Sequence, residues 1–163
     1  LVRHDQLTGA LNRKGMQEAL EKEVSRMRRR EGSLCVSLLD VDNFKALNDS
    51  LGHQAGDNAL VHLADVIRET LRPQDSLARY GGEEFLVILP DTRLEDGVAA
   101  ITRLQRALTR KFFLHETENK LITFSAGVAE VCFDEAPEAT IARADRAMYQ
   151  AKRAGKNRVI AAP

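Results

Sequence analysis

Asp40 and Asp42 stand two residues apart where an otherwise apolar stretch, LCVSLLDV, gives way to polar sequence. In an extended strand that spacing turns both carboxylates to the same side. Alone, such a pair is equally well explained by solvation or by capping of the next segment. A second pair shifts the balance: Glu83 and Glu84 follow Gly81-Gly82 directly and lead into another apolar run, FLVIL. Four carboxylates at the ends of buried strands repel one another unless a cation joins them. Hard oxygen donors with no His or Cys beside them suit Mg²⁺ or Mn²⁺, and Mg²⁺ usually completes its octahedron with substrate phosphates. The chemistry indicated is phosphoryl transfer. Lys45, just past the first pair, and Lys152 and Lys156, four apart near the end of the last helical pattern, could offset phosphate charge. The closing lysines have an alternative reading as a solvated helix end that complements the dipole. Glycines at 81 and 82 would let a phosphate or base approach the backbone closely.

These side chains need a scaffold, and hydrophobic periodicity predicts one. Met16, Leu20, Val24 and Met27 mark an amphipathic helix from Arg13 to Arg30. Leu34 to Val41 reads as a central strand covered on both faces. A polar stretch with Asn and Gly follows, then a helix from about Gly56 to Leu71 with Leu60, Leu63, Ile67 and Leu71 in one stripe. Ser76 to Leu89 holds two strand-like runs around Gly81-Gly82, the two-residue signal of a tight hairpin whose turn needs positive φ. Thr92 and Glu95 have capping-box spacing for a helix carrying Val98, Ile101, Leu104 and Leu108. Leu121 to Phe133 predicts a strand, Glu138 to Ala154 a helix ended by Gly155, and Asn157 to Ala161 an edge strand. Alternating elements with one internal hairpin imply a single α/β domain over residues 1–163, its sheet of mixed direction and covered by helices.

Composition narrows the partners. The chain has 24 basic and 24 acidic residues, so no global field draws it to nucleic acid or to an anionic membrane. A chain of 163 residues buries roughly 70% of its unfolded surface, enough to fold without disulfide or structural metal. Cys35 and Cys132 both lie in apolar stretches and read as small buried hydrophobes of a reducing, cytoplasmic compartment. No apolar run approaches about 18 residues, so no membrane contact is expected of this segment. The sequence starts at Leu1 without an initiator Met and reads as one domain of a longer protein with sensor or regulatory domains elsewhere.

Five blocks carry the functional reading further: Asp5–Arg13 (DQLTGALNR), Asp40–Lys45 (DVDNFK), Asn48 with Gly52–Asp57 (GHQAGD), Gly81–Phe85 (GGEEF) and Tyr149–Arg158 (YQAKRAGKNR). In this order and spacing they resemble the GGDEF family of diguanylate cyclases across nearly the whole chain, with Ala10 in place of the usual Leu as a minor departure. The resemblance implies an α/β (α+β) fold like the adenylyl cyclase catalytic domain and the polymerase palm, with a central mixed, mainly antiparallel sheet flanked by helices. It implies condensation of two GTP into cyclic di-GMP with release of two pyrophosphates, by a symmetric dimer of this chain holding one GTP per domain. By position, Asp40, Glu83 and the carbonyl of Val41 would ligate Mg²⁺ or Mn²⁺, two ions per GTP. Asn48 and Asp57 would read the guanine edge, His53 would line the pocket, and Lys45, Lys152 and Lys156 would meet the phosphates. Glu83 would accept the 3′-hydroxyl proton, with Glu84 the alternative.

Arg72-Pro-Gln-Asp75 precedes Gly81 by the separation at which the family carries its product-inhibition site. By resemblance Arg72 and Asp75, with Arg103, would bind cyclic di-GMP; the alternative is a surface ion pair at a helix end. A nucleotide receptor without turnover and a structural dimerisation domain are the rival functions. Intact carboxylates and lysines favour the enzyme over both.

Overall fold

The structure is a computed structural model and describes residues 2–163. Its centre is β1 (Leu34–Val41), whose alternate side chains feed two different cores. Val36 and Leu38 meet α1 (Arg13–Arg30) and α5 (Pro137–Arg153) on one face. Cys35, Leu39 and Val41 meet α3 (His53–Thr70) and α4 (Leu94–Leu108) on the other. A strand buried on both sides has no polar face to present, which explains its near-continuous apolar run.

The five-stranded sheet has the order β2-β3-β1-β6-β7, with β2 (Ser76–Arg79), β3 (Glu84–Pro90), β6 (Phe124–Glu130) and β7 (Val159–Ala161). Pairing is antiparallel except between β6 and β7, so the expected mixed, mainly antiparallel sheet flanked by helices is what forms. Leu38, Leu39, Phe85 and Phe124 are almost wholly buried, each worth roughly 1.5–3 kcal/mol of transfer free energy. Helix α5 lies directly on β6 at Gly127, where a Cβ would come within 2.0 Å of the Ala144 carbonyl oxygen.

Several expectations are corrected. The polar stretch after β1 forms a helix of its own, α2 (Phe44–Leu51), separated from α3 by Gly52 at φ 91°. Gly81 and Gly82 do not have positive φ, and the connection from Arg79 to Glu84 is longer than a two-residue turn, with Tyr80 N and Gly81 N both donating to the Glu84 carbonyl. Thr92 caps no helix: its hydroxyl donates to the Pro90 carbonyl, and the first amide of α4, Leu94 N, donates instead to Glu130 Oε1 from β6. The predicted strand at 121–133 shortens to β6, and a small hairpin, β4 (Phe113–His115) with β5 (Glu118–Lys120), precedes it. Because the chain leaves the sheet at Glu130, Cys132 is exposed, whereas Cys35 is buried and its thiol pushed up to about 12 by desolvation. Gly155 follows the last helix at φ 125°, as expected of a terminator, and β7 takes the sheet edge.

Candidate active site

The end of β1 is where the chemistry-bearing residues converge. In the two ladders that flank it, Asp40 lies opposite Glu84 on β3 and opposite Ser125 on β6. Val41 N donates to the Glu83 carbonyl at 3.2 Å, which brings Glu83 beside Asp40. Burial and the nearby Asp40 carboxylate act together on Glu83, so the two acids raise each other's cost of ionisation. Desolvation and the neighbouring carboxylates raise Asp40, Glu83 and Glu84 above the usual carboxylate range. Lys152 Nζ meets Asp40 at 2.8 Å and Asp42 at 3.4 Å, so the two aspartates do share a side, as their spacing predicts. Burial opposes the ammonium charge, but these two carboxylates outweigh it and raise Lys152 above its ordinary value.

Asp42 behaves differently from the other three acids. Its buried carboxylate accepts from Thr123 Oγ1 at 2.7 Å, Ser125 Oγ at 2.6 Å and Asn157 N at 2.9 Å besides Lys152. With these donors and the Lys152 ammonium it needs no metal ion, and the expected cluster of four reduces to the Asp40–Glu83 pair with Glu84 adjoining. Among the described residues no group of three or more His, Cys, Asp or Glu side chains is spaced to hold a metal ion. Two hard, half-buried carboxylates side by side still fit Mg²⁺ or Mn²⁺, which relies on few protein ligands and takes the rest from phosphate and water.

The lysines expected on one helical face arrive by another route. Helix α5 ends at Arg153, and Lys156 lies beyond it at φ 66°, yet its Nζ returns to Asn43 Oδ1 at 2.7 Å, beside the end of β1. Lys45 sits on the first turn of α2, and His53 and Asp57 on the first turns of α3. All three are exposed, and their side chains make no hydrogen bond or ion pair among the described residues. Asn48, on α2, packs its Oδ1 against Gly56, where a Cβ would lie 1.9 Å away, and that oxygen is buried without a hydrogen-bond partner. An unsatisfied buried acceptor costs about 1–3 kcal/mol, so packing alone gives no reason for an amide at this position.

Arg72, Asp75 and Arg103 gather at the opposite end of β3. They line one cavity of about 300 Å³ with Thr92 and Asp96. Arg72 is engaged with Asp75 Oδ1 at 2.8 Å, the Pro90 carbonyl at 2.8 Å and Thr92 Oγ1 at 3.0 Å. Asp75 is only 3% exposed at its side chain, which is more than a solvated surface pair requires.

Residues 2–158 match the family described as "Diguanylate cyclase, GGDEF domain". The chain belongs to the GGDEF family. It is 46% identical over 155 residues to diguanylate cyclase DgcP of Pseudomonas aeruginosa, covering 95% of this chain and 23% of that protein. The GGDEF domain of DgcB from Caulobacter crescentus, solved with c-di-GMP, superposes with TM-score 0.93 at 34% identity, covering 98% of this chain and 93% of that one. Diguanylate cyclase SiaD of P. aeruginosa, solved with its activator SiaC, gives TM-score 0.94 at 39% identity over 98% of this chain and 61% of that one. The chain thus spans about a quarter of the full length of DgcP.

In this GGDEF domain the sequence reading missed the residues that fix the hairpin and the closing segment. Arg79 reaches the Gly82 carbonyl at 2.8 Å and Asp5 Oδ1 at 3.2 Å, tying the opening block to the glycine turn. Burial works against its charge, yet Thr8 hydrogen bonds and the Arg79 charge hold the Asp5 carboxyl below the usual range. Thr123, Ser125 and Asn157 were missed because their role depends on β6 and the closing turn flanking β1, a pairing no local pattern announces. Asp5 and Arg79 sit in or beside quoted motifs, which is the signal that could have found them.

Proposed function

We propose that this GGDEF domain condenses two GTP into cyclic di-GMP and two pyrophosphates, as a two-fold dimer with one GTP per domain. The observation that carries the reading is the half-buried Asp40–Glu83 pair beside Lys152, at the mouth of the Gly81-Gly82 turn. Asp40, Glu83 and the Val41 carbonyl would hold Mg²⁺ or Mn²⁺, two per GTP, and the ions supply Lewis-acid polarisation of the phosphate under attack.

The chain's own groups do the rest. Lys152 and Lys156 meet the triphosphate, and Lys45 offsets charge that builds on departing pyrophosphate. Asn48 and Asp57 bind the guanine edge, where a carboxylate can accept from N1–H and the exocyclic amine together; adenine has no N1–H donor. His53 lines the nucleotide pocket. The 3′-oxygen of one GTP bonds to the α-phosphorus of the other as the bond from that phosphorus to pyrophosphate breaks. Its proton passes to Glu83, with Glu84 the alternative, since burial raises the proton affinity of both. Repetition in the opposite sense closes the ring. Each GTP offers its partner one nucleophile and one electrophile, so two half-sites must face each other.

Product would feed back at Arg72, Asp75 and Arg103; the similar DgcB domain was solved with c-di-GMP, and these side chains already share a cavity. The greater length of DgcP and the activator complex of SiaD support further regulatory domains or partners around this segment. No helix among the described residues is long and apolar enough to cross a membrane, and a GTP-consuming domain belongs where GTP is made, in the cytoplasm. The test is turnover of GTP with Mg²⁺ by the chain fused to a dimerising helix. Asp40→Asn and Glu83→Gln should each abolish cyclic di-GMP formation; retained turnover would remove the metal assignment, and product binding without synthesis would favour the receptor instead.

A further inference from the structure

We infer that Asp42 is a positioning residue that keeps Lys152 in the phosphate site independently of Asp40. The inference rests on the proposal that Lys152 meets the phosphates of GTP. Lys152 Nζ bridges the two aspartates, at 2.8 Å from Asp40 and 3.4 Å from Asp42. Asp40 is the one assigned to a divalent cation, and a cation sharing that carboxylate would repel the ammonium. Asp42 is not open to the same competition. Its side chain is 1% exposed, and each oxygen receives two donors: Oδ1 from Ser125 Oγ and Lys152 Nζ, Oδ2 from Thr123 Oγ1 and Asn157 N. Its charge is thereby kept for Lys152 and for the closing turn. That turn also places Lys156, the neighbour of Asn157, against Asn43. One buried carboxylate therefore fixes both phosphate lysines, one through its side chain's charge and the other through the backbone beside it.

Asparagine at this position separates the two duties. With its carbonyl oxygen in place of Oδ2 it still accepts from Thr123 and Asn157. Its amide nitrogen, in place of Oδ1, donates to a rotated Ser125 hydroxyl and turns a donor towards Lys152. Asp42→Asn should therefore keep the turn and release the ammonium. The probe is 3′-deoxy-GTP with Mg²⁺, which lacks the attacking hydroxyl and reports binding without turnover. Asp42→Asn should weaken its binding roughly tenfold, as should Lys152→Ala, because each removes one charge-assisted phosphate contact. The double variant should bind no more weakly than Lys152→Ala, and Ser125→Ala, which removes only a neutral donor, should stay within about twofold. A purely structural Asp42 would lower thermal stability and leave the dissociation constant of the folded fraction unchanged. In the unmutated chain with Mg²⁺, the ¹⁵N ammonium signal of Lys152 should remain exchange-protected, a reading that needs no Asp42 variant. Unchanged affinity in Asp42→Asn, losses that multiply in the double variant, or an unprotected Lys152 would each overturn the inference while nucleotide binding stands. Failure of the unmutated chain to bind 3′-deoxy-GTP would overturn the nucleotide reading and this inference with it.

Discussion

Asp40 and Glu83 are held where burial and neighbouring negative charge both disfavour ionisation, which raises each above the usual carboxylate range. A carboxyl whose value is raised on folding binds protons more tightly in the native state, so its presence lowers stability as pH rises from the unfolded value through the folded one. Without divalent cation, Glu83→Gln should therefore unfold at a higher temperature than the unmutated chain at pH 8 and lose that advantage near pH 4. Thermal unfolding at the two pH values checks this; an advantage independent of pH would mean the pair is not under electrostatic strain. The same variant should form no cyclic di-GMP, a trade of stability for function at one residue. The residues of this pair were legible in the sequence because strand spacing and a glycine turn announce them. Asp42 was legible only as a carboxylate, since the donors that saturate it come from β6 and the closing turn.

Elements show where local patterns stop short. Helix α2 escaped notice because its eight residues include polar Asn, Asp and Ser, and none of its side chains is fully buried. The capping-box spacing at Thr92 was real but lost to tertiary partners, since Glu130 supplies the cap and Arg72 takes the threonine hydroxyl. The two glycines at 82 and 127 have opposite reasons to be small. A Cβ at Gly82 meets nothing within 4 Å, whereas one at Gly127 strikes the backbone of α5. Gly127→Ala should cost about 3 kcal/mol of stability, read by denaturant unfolding. Gly82→Ala should leave stability within about 0.5 kcal/mol and reduce turnover at least about tenfold if substrate fills that space. At the start of α5, Glu135 accepts from Arg143 at 2.7 Å and Thr140 at 2.5 Å. Arg143 first, with help from Thr140, holds it down to about 2. A lowered carboxyl contributes stability that is present above its unfolded value and lost as pH falls through the folded one. Glu135→Gln should thus cost roughly 2 kcal/mol at pH 7 and progressively less from pH 5 towards pH 2, followed by thermal melts.

At the scale of the molecule, zero net charge conceals a segregated one. Acidic strand ends and returning lysines meet at one end of β3, and Arg72 with Asp75 and Arg103 lie at the other. The mixed sheet order could be anticipated only in class, because nothing local states that β1 lies between β3 and β6. The most consequential claim is that one copy is half of an active site. GTP and Mg²⁺ should be incubated with the chain alone and with the chain fused to a dimerising helix, and the products separated and identified. The account predicts cyclic di-GMP from the fusion at a rate at least about tenfold above the dilute single chain, and none from Glu83→Gln in the same fusion. Equal turnover per domain at all dilutions of the unfused chain, or no cyclic dinucleotide from the fusion, would contradict it.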